Sequence, residues 1–328
     1  MSSRIPSTRV RAASASLLVL GSLVPMHAAA WCQLTSSDAR PTTDEPCVLT
    51  SLHPGSHELA WRRACTSISF SSVLGVAATE GRITEAAART VLMRSIATWT
   101  TVDCGGARTG LDVTILPETD VCTRAAHYRG GRNVHTIVFV ADGWSTERLH
   151  DPRALAVTYV WHDPATGEIL DADMELNEDT RDFHVCALDG CAELHPDPVT
   201  GLPNGPDSGD ADLENTLTHE MGHYFGLAHT PESDGRDATM FAEATFGETS
   251  KRDLTDDDRA GICAIYPPGS LPSACDPTPT GGLGLDCAAP SGCGCAAAGA
   301  SGATGTAITS VGLALVALVW AGRRSRRG

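Results

Sequence analysis

The chain has 328 residues, 42% of them hydrophobic and 20% charged, a folded protein's composition with room for one large domain or two ordinary ones. Aromatics are only 5%, while 32 Gly and 19 Pro imply many turns. The formal charge of −16 is uneven: Arg4, Arg9, Arg11, Arg323, Arg324, Arg326 and Arg327 lie in end segments without acidic residues, leaving 17 basic against 40 acidic residues over 31–286. A surface that acidic repels phosphate, so nucleic acid is excluded as a partner.

In chain order, basic Arg4, Arg9 and Arg11 precede an apolar run over 12–24, and small Ala28 and Ala30 follow. This pattern predicts a signal peptide over 1–30 cleaved before Trp31, since the run is short for a membrane span. Residues 31–60 are polar, with Pro41, Pro46 and Pro54, and read as an N-terminal extension or short pro-segment. One domain is expected over 61–267. It opens with an alternating strand at 65–70, then a helix capped by Thr84 and running to Trp99. Buried strands follow at 111–116 and 134–140, then a hairpin of 154–161 with 168–176 around Asp163-Pro-Ala-Thr-Gly167. A polar, Pro-rich loop covers 178–210, and helix returns over 212–227. Thr255 caps a last helix, with Asp258 as its capping-box partner, ending before Pro267. Interleaved strands and helices with one antiparallel hairpin predict an α+β domain: a mixed sheet flanked by helices.

Eight cysteines lie in the middle of the chain: Cys32, Cys47, Cys65, Cys104, Cys122, Cys186, Cys191 and Cys263. An even set in an exported chain reads as disulfides; connectivity stays open, with Cys186–Cys191 and Cys104–Cys122 as local guesses.

Residues 268–303 are rich in Pro, Gly, Ser and Ala, contain Cys275, Cys287, Cys293 and Cys295, and read as a linker. An uncharged apolar stretch then precedes Arg-Arg-Ser-Arg-Arg. This predicts a transmembrane helix over 304–322 with a basic cytoplasmic tail at 323–328 and the body outside. The order Ser-Gly-Cys293-Gly-Cys295, membrane helix, basic cluster resembles the myxobacterial C-terminal sorting signal. That resemblance implies a protein at the cell surface or outer membrane, or released outside, with the tag removed by a sorting enzyme. A plain membrane anchor is the alternative.

The chemistry sits in His219-Glu220-Met221-Gly222-His223-Tyr224-Phe225-Gly226-Leu227-Ala228-His229. On a helix His219 and His223 project from one face and can share one ion, while Glu220 lies one step round, placed as a general base. Gly226 can take positive φ and let the chain swing back, so that His229 supplies a third nitrogen. Three neutral imidazoles leave a tetrahedral Zn²⁺ with one open position, the mark of a catalytic site.

The segment resembles the extended motif of the metzincin zinc endopeptidases, whose methionine turn is matched by Ala238-Thr239-Met240-Phe241. Within that clan the matrixins fit best, on Thr230 after the third His and on the run Leu254-Thr-Asp-Asp-Asp258…Gly-Ile262…Tyr266-Pro. The resemblance implies a metzincin-like catalytic domain, a twisted mixed sheet with the active-site helix below it. It implies Met240 as an apolar floor under the metal, and Asp171-Ala-Asp173-Met-Glu175-Leu-Asn177 as the edge strand above it, where a peptide would pair. The activity implied is hydrolysis of peptide bonds through a zinc-activated water with Glu220 as general base. No Pro-Arg-Cys-Gly cysteine switch occurs in residues 31–60. Asp171, Asp173 and Glu175 alternate on one strand face, and either hold Ca²⁺ or form a solvated face. The main reading is a secreted or surface-anchored zinc endopeptidase acting on protein or peptide; the alternatives are a non-catalytic binding module on this scaffold and a zinc hydrolase acting on cell-wall material. The sequence leaves the oligomeric state open.

Overall fold

The computed structural model describes residues 31–37, 55–71, 75, 80–117, 124–127, 133–186, 210–231, 235–245, 247–279 and 312–320. The signal peptide, the motif around Cys293, the basic tail and the partners guessed for Cys186 and Cys104 lie outside them. The described strands are β1 (Cys32–Gln33), β2 (Cys65–Phe70), β3 (Asp112–Ile115), β4 (Thr136–Val140), β5 (Ala154–His162), β6 (Ile169–Asn177), β7 (Asp182–His184), β8 (Asp210–Asp212), β9 (Leu227–Ala228), β10 (Glu243–Ala244) and β11 (Gly312–Trp320). The helices are α1 (Glu85–Thr100), α2 (Leu213–Tyr224) and α3 (Asp256–Ile265).

The main sheet runs β10-β11-β5-β6-β4-β2-β3. Strand β2 is parallel to β3 and β4, β4 is parallel to β6, and β5 returns antiparallel beside β6. Parallel neighbours need a crossover, and α1 supplies the one from β2 to β3. The result is a mixed sheet with few helices, the α+β class read from the interleaved pattern. Gly167 closes the β5–β6 turn at φ +73°, and a Cβ there would meet the Glu58 carbonyl oxygen at 2.2 Å.

Helix α1 starts at Thr84, whose hydroxyl accepts the Ala87 N–H, and buries Ala88, Val91, Leu92, Ile96 and Trp99 against α2. Trp99 Nε1 donates to the Thr218 carbonyl at 2.8 Å, so the apolar face of α1 ends in a polar tie to the helix it covers. Every residue of α2 is buried. Asp212 caps that helix through the Asn215 N–H, and the same carboxylate takes two 2.7 Å bonds from the Arg252 guanidinium. The forked ion pair neutralises a buried charge that the backbone bonds from Asn215 and Cys186 alone would leave costly.

Four expectations need correction. First, no helix among the described residues is long and apolar enough to cross a membrane, and the core of the segment read as one, 312–320, is strand β11. An apolar run of nine residues fits a buried strand as well as part of a helix. Here the edges of β5 and β10 supply the hydrogen-bond partners that a helix would find within itself. Second, β6 is not an edge strand: it is paired with β4 on one side and β5 on the other, and β5 is paired beyond it with β11. Third, Cys104 bonds Cys263, not Cys122: α1 and α3 bring together residues 159 positions apart, and proximity in sequence was the wrong guide. Cys65 bonds Cys275, which draws the start of the presumed linker onto the domain, where Arg63 donates to the Thr278 carbonyl at 2.8 Å. Fourth, residues 31–37 are built into the domain: β1 pairs with β9, and the Trp31 N–H donates to Asp257 at 3.0 Å.

Candidate metal centre

Three imidazoles meet below the sheet. The His219, His223 and His229 Nε2 atoms lie 3.1 to 3.3 Å apart. The first two rise from α2 on one face. The third follows Gly226, whose φ of +95° ends the helix and lets the chain return; a Cβ there would sit 2.4 Å from the Leu59 carbonyl oxygen. Pairing of β9 with β1 and the bond from Leu34 N–H to the Gly226 carbonyl hold the returning segment.

The second nitrogens fix the tautomers. His219 Nδ1 donates to the Thr239 carbonyl at 2.6 Å and His223 Nδ1 to the Leu227 carbonyl at 2.8 Å. A carbonyl only accepts, so both rings carry hydrogen on Nδ1 and turn Nε2 lone pairs inward. Burial depresses all three pKa values, that of His223 to about 4, and the neighbouring imidazoles push His219 and His229 further down. Three neutral rings whose Nε2 atoms converge, two of them with lone pairs fixed inward, are well disposed to share a cation between them. A tetrahedral ion with nitrogens at about 2.0–2.1 Å separates those nitrogens by about 3.3–3.4 Å, so the set could hold zinc. Among the described residues no other His, Cys, Asp and Glu cluster converges tightly enough for a metal.

The floor of the centre is a tight turn. Met240 packs its sulfur over Gly222, where a Cβ would stand 2.2 Å from Sδ and 2.9 Å from the Trp99 ring. Gly222 falls at a variable position of the histidine motif, so spacing gave no sign of its role. The turn itself hangs from Asp258. Its Oδ2 accepts the Thr239 N–H at 2.9 Å and its Oδ1 the Met240 N–H at 3.1 Å, while Oδ2 also completes the capping box with Thr255. Asp258 was legible as helix-start chemistry; its reach to the turn was not.

Glu220 is fully buried beside the triad. Its Oε2 accepts a hydrogen bond from the Thr158 hydroxyl of β5, and the Leu318 amide of β11 faces the same carboxylate. Its Oε1 meets no partner in hydrogen-bonding geometry among the described residues. Burial lifts its pKa to about 8, against the opposing pull of those two donors.

Asp171, Asp173 and Glu175 do share one face of β6, but that face is buried. Asp171 binds His135 Nδ1 at 2.6 Å and His127 Nδ1 at 3.0 Å, and Asp173 accepts the Ala126 and Thr136 N–H groups. Glu175 pairs with Arg148, His150 and the Ala125 N–H. The oxygens turn to protein donors, the face is buried rather than solvated, and among the described residues these carboxylates do not gather into a metal-binding group. The loop histidines His127, His135 and His150, which have no ligand spacing in the sequence, explain how the carboxylates tolerate burial.

Comparison with known proteins bears on the same region. Residues 136–267 match the peptidase M10 (matrixin) family, a zinc-dependent group, and this stretch includes the triad, Glu220, Met240 and α3. The chain is 42% identical over 57 residues to Metalloendoproteinase 1-MMP of Arabidopsis thaliana, covering 17% of this chain and 15% of that protein. It is 39% identical over 82 residues to Neutrophil collagenase of Homo sapiens, covering 22% of this chain and 17% of that one. Each match thus spans less than a fifth of the relative's length. Geometry and similarity together support a metzincin-like metalloprotease domain of matrixin type over residues 136–267.

Proposed function

We propose that this protein is an exported zinc endopeptidase in which His219, His223 and His229 hold the metal and Glu220 is the general base. The convergence of three imidazole Nε2 atoms beside one buried carboxylate carries the reading. Zinc bound there supplies a Lewis acid that polarises the scissile carbonyl and lowers the pKa of water. The Thr239 and Leu227 carbonyls orient two of the rings, and Met240 closes the floor without offering a ligand. Glu220 takes a proton at one carboxylate oxygen and returns it to the leaving amine, while Thr158 holds the other oxygen. The peptide lies extended along β5, taking up the backbone donors and acceptors that β11 pairs with in this structure. Disulfides at Cys65–Cys275 and Cys104–Cys263 support an oxidising location.

Glu220→Gln tests this directly. The variant should keep zinc and lose roughly 10²- to 10⁴-fold in peptide hydrolysis. Undiminished cleavage ends the assignment, and stoichiometric zinc with no cleavage of any peptide by the parent chain favours a binding module instead.

A further inference from the structure

The sheet edge that should receive a peptide is already taken. Strand β11 runs antiparallel to β5 from Gly312 opposite His162 to Val319 opposite Ala154, and parallel to β10 with Glu243 opposite Val319. Both walls of the groove are therefore paired, and the Val319 N–H also donates to the Ala242 carbonyl at 2.7 Å. Leu318 is fully buried, Ala314 and Val316 pack against the same core, and Ala317 packs against the cluster of Val138, Val140, Trp144, Ala154 and Val157 on the other side of the sheet. In register Val316 lies opposite Thr158, the residue that holds Glu220, and the Leu318 amide faces the Glu220 carboxylate. The strand crosses the catalytic group.

We propose that the groove between β5 and β10 is a strand-accepting surface whose resident occupant is residues 312–320 of this chain, and that this occupant keeps the enzyme latent by excluding peptide. The inference rests on the endopeptidase reading of the same site. Three observations favour the chain's own segment over a foreign one. The segment fills both ladders; its inward residues are aliphatic where the groove is apolar; and residues 287–322 carry no charge, so the strongly acidic body does not repel them. Being tethered, the strand competes at an effective concentration that dilution does not lower. It also supplies a restraint of a kind other than the cysteine switch, whose Pro-Arg-Cys-Gly motif does not occur in residues 31–60.

The test uses the full chain, loaded with zinc, and a fluorogenic peptide library. Leu318→Asp places a charge in the buried strand position, and Val316→Pro removes an N–H and fixes φ in mid-strand; each should raise kcat/KM about tenfold or more. Leu313→Asp, at an exposed strand position, should change nothing. Hydrogen exchange reports seating independently: amides of 313–319 should be protected in the parent chain and exchange freely in the Leu318→Asp and Val316→Pro variants. Equal cleavage by parent and both variants overturns latency and leaves the endopeptidase reading standing. Free exchange of 313–319 in the parent chain, or loss of the tail by cleavage within 312–320, also overturns it. A zinc-loaded Leu318→Asp chain with a freely exchanging tail that still cuts nothing overturns latency and counts against the endopeptidase reading as well.

Discussion

Asp258 joins the last helix to the floor of the metal centre, and its removal should be felt at both. The side chain is fully buried and accepts from Thr239 N–H, Met240 N–H, Thr255 N–H and the Thr255 hydroxyl. Asp258→Ala leaves the Thr239 and Met240 N–H groups buried and unpaired, at about 1–3 kcal/mol each. Loss of the reciprocal cap adds about 0.5–2 kcal/mol. The expected total, about 2–6 kcal/mol after some relaxation, is a large share of the roughly 5–15 kcal/mol that holds a domain folded. Asp258→Asn keeps the shape but turns an amide group toward one of the donors, so it should cost less, about 1–3 kcal/mol. The Thr239 carbonyl accepts from His219 Nδ1, so both variants should also loosen that ring and weaken zinc binding roughly 10- to 100-fold. Urea unfolding of metal-free protein, with competitive chelation for zinc affinity, measures both effects. An Asp258→Ala chain within about 1 kcal/mol of the parent and with unchanged zinc affinity would refute the link between helix and turn.

Gly222→Ala should destabilise by about 1–3 kcal/mol through overpacking, since the new methyl group meets Met240 Sδ and the Trp99 ring, and pairing it with Met240→Ala should recover part of the loss in the same unfolding assay. Gly226→Ala should be worse, because a positive φ and the unyielding Leu59 carbonyl act together; a melting temperature close to the parent's would contradict it. The metal-free protein should lose stability as pH falls from about 6.5 toward 4. In that window the unfolded chain protonates histidines that burial keeps neutral in the folded one, so the unfolded state binds more protons. Each of the three histidines contributes about 1.4 kcal/mol per pH unit there, and His223→Asn should reduce the slope of unfolding free energy against pH.

The histidine segment was legible because its geometry is local. Four-residue spacing puts two rings on one helix face whatever surrounds them, and Gly226 announces the turn that brings the third. The α1 and α3 caps were legible for the same reason, Thr84 and Thr255 each answering donors within three residues. What pattern could not reveal were contacts made by tertiary packing. The alternating carboxylates of β6 look solvated until loop histidines and amides from 124–136 and 148–150 are folded over them. The strand bordering the groove was misassigned because a hairpin gives two neighbouring strands of equal length, and only the pairing of β6 with β4 decides which of the two lies toward the groove. The C-terminal apolar run shows the same limit, since hydropathy measures aversion to water without naming what will cover the segment.

The two described disulfides join early residues to late ones, Cys65 to Cys275 and Cys104 to Cys263, and so enclose nearly all of the chain between β2 and the end of α3. A single backbone cut anywhere from 105 to 262 leaves both fragments covalently joined, with the pieces carrying β2 and the histidines still in one molecule. For a protein that would share its surroundings with peptidases, its own copies included, a nick in a surface loop is then damage without dissociation, visible as two bands only after reduction.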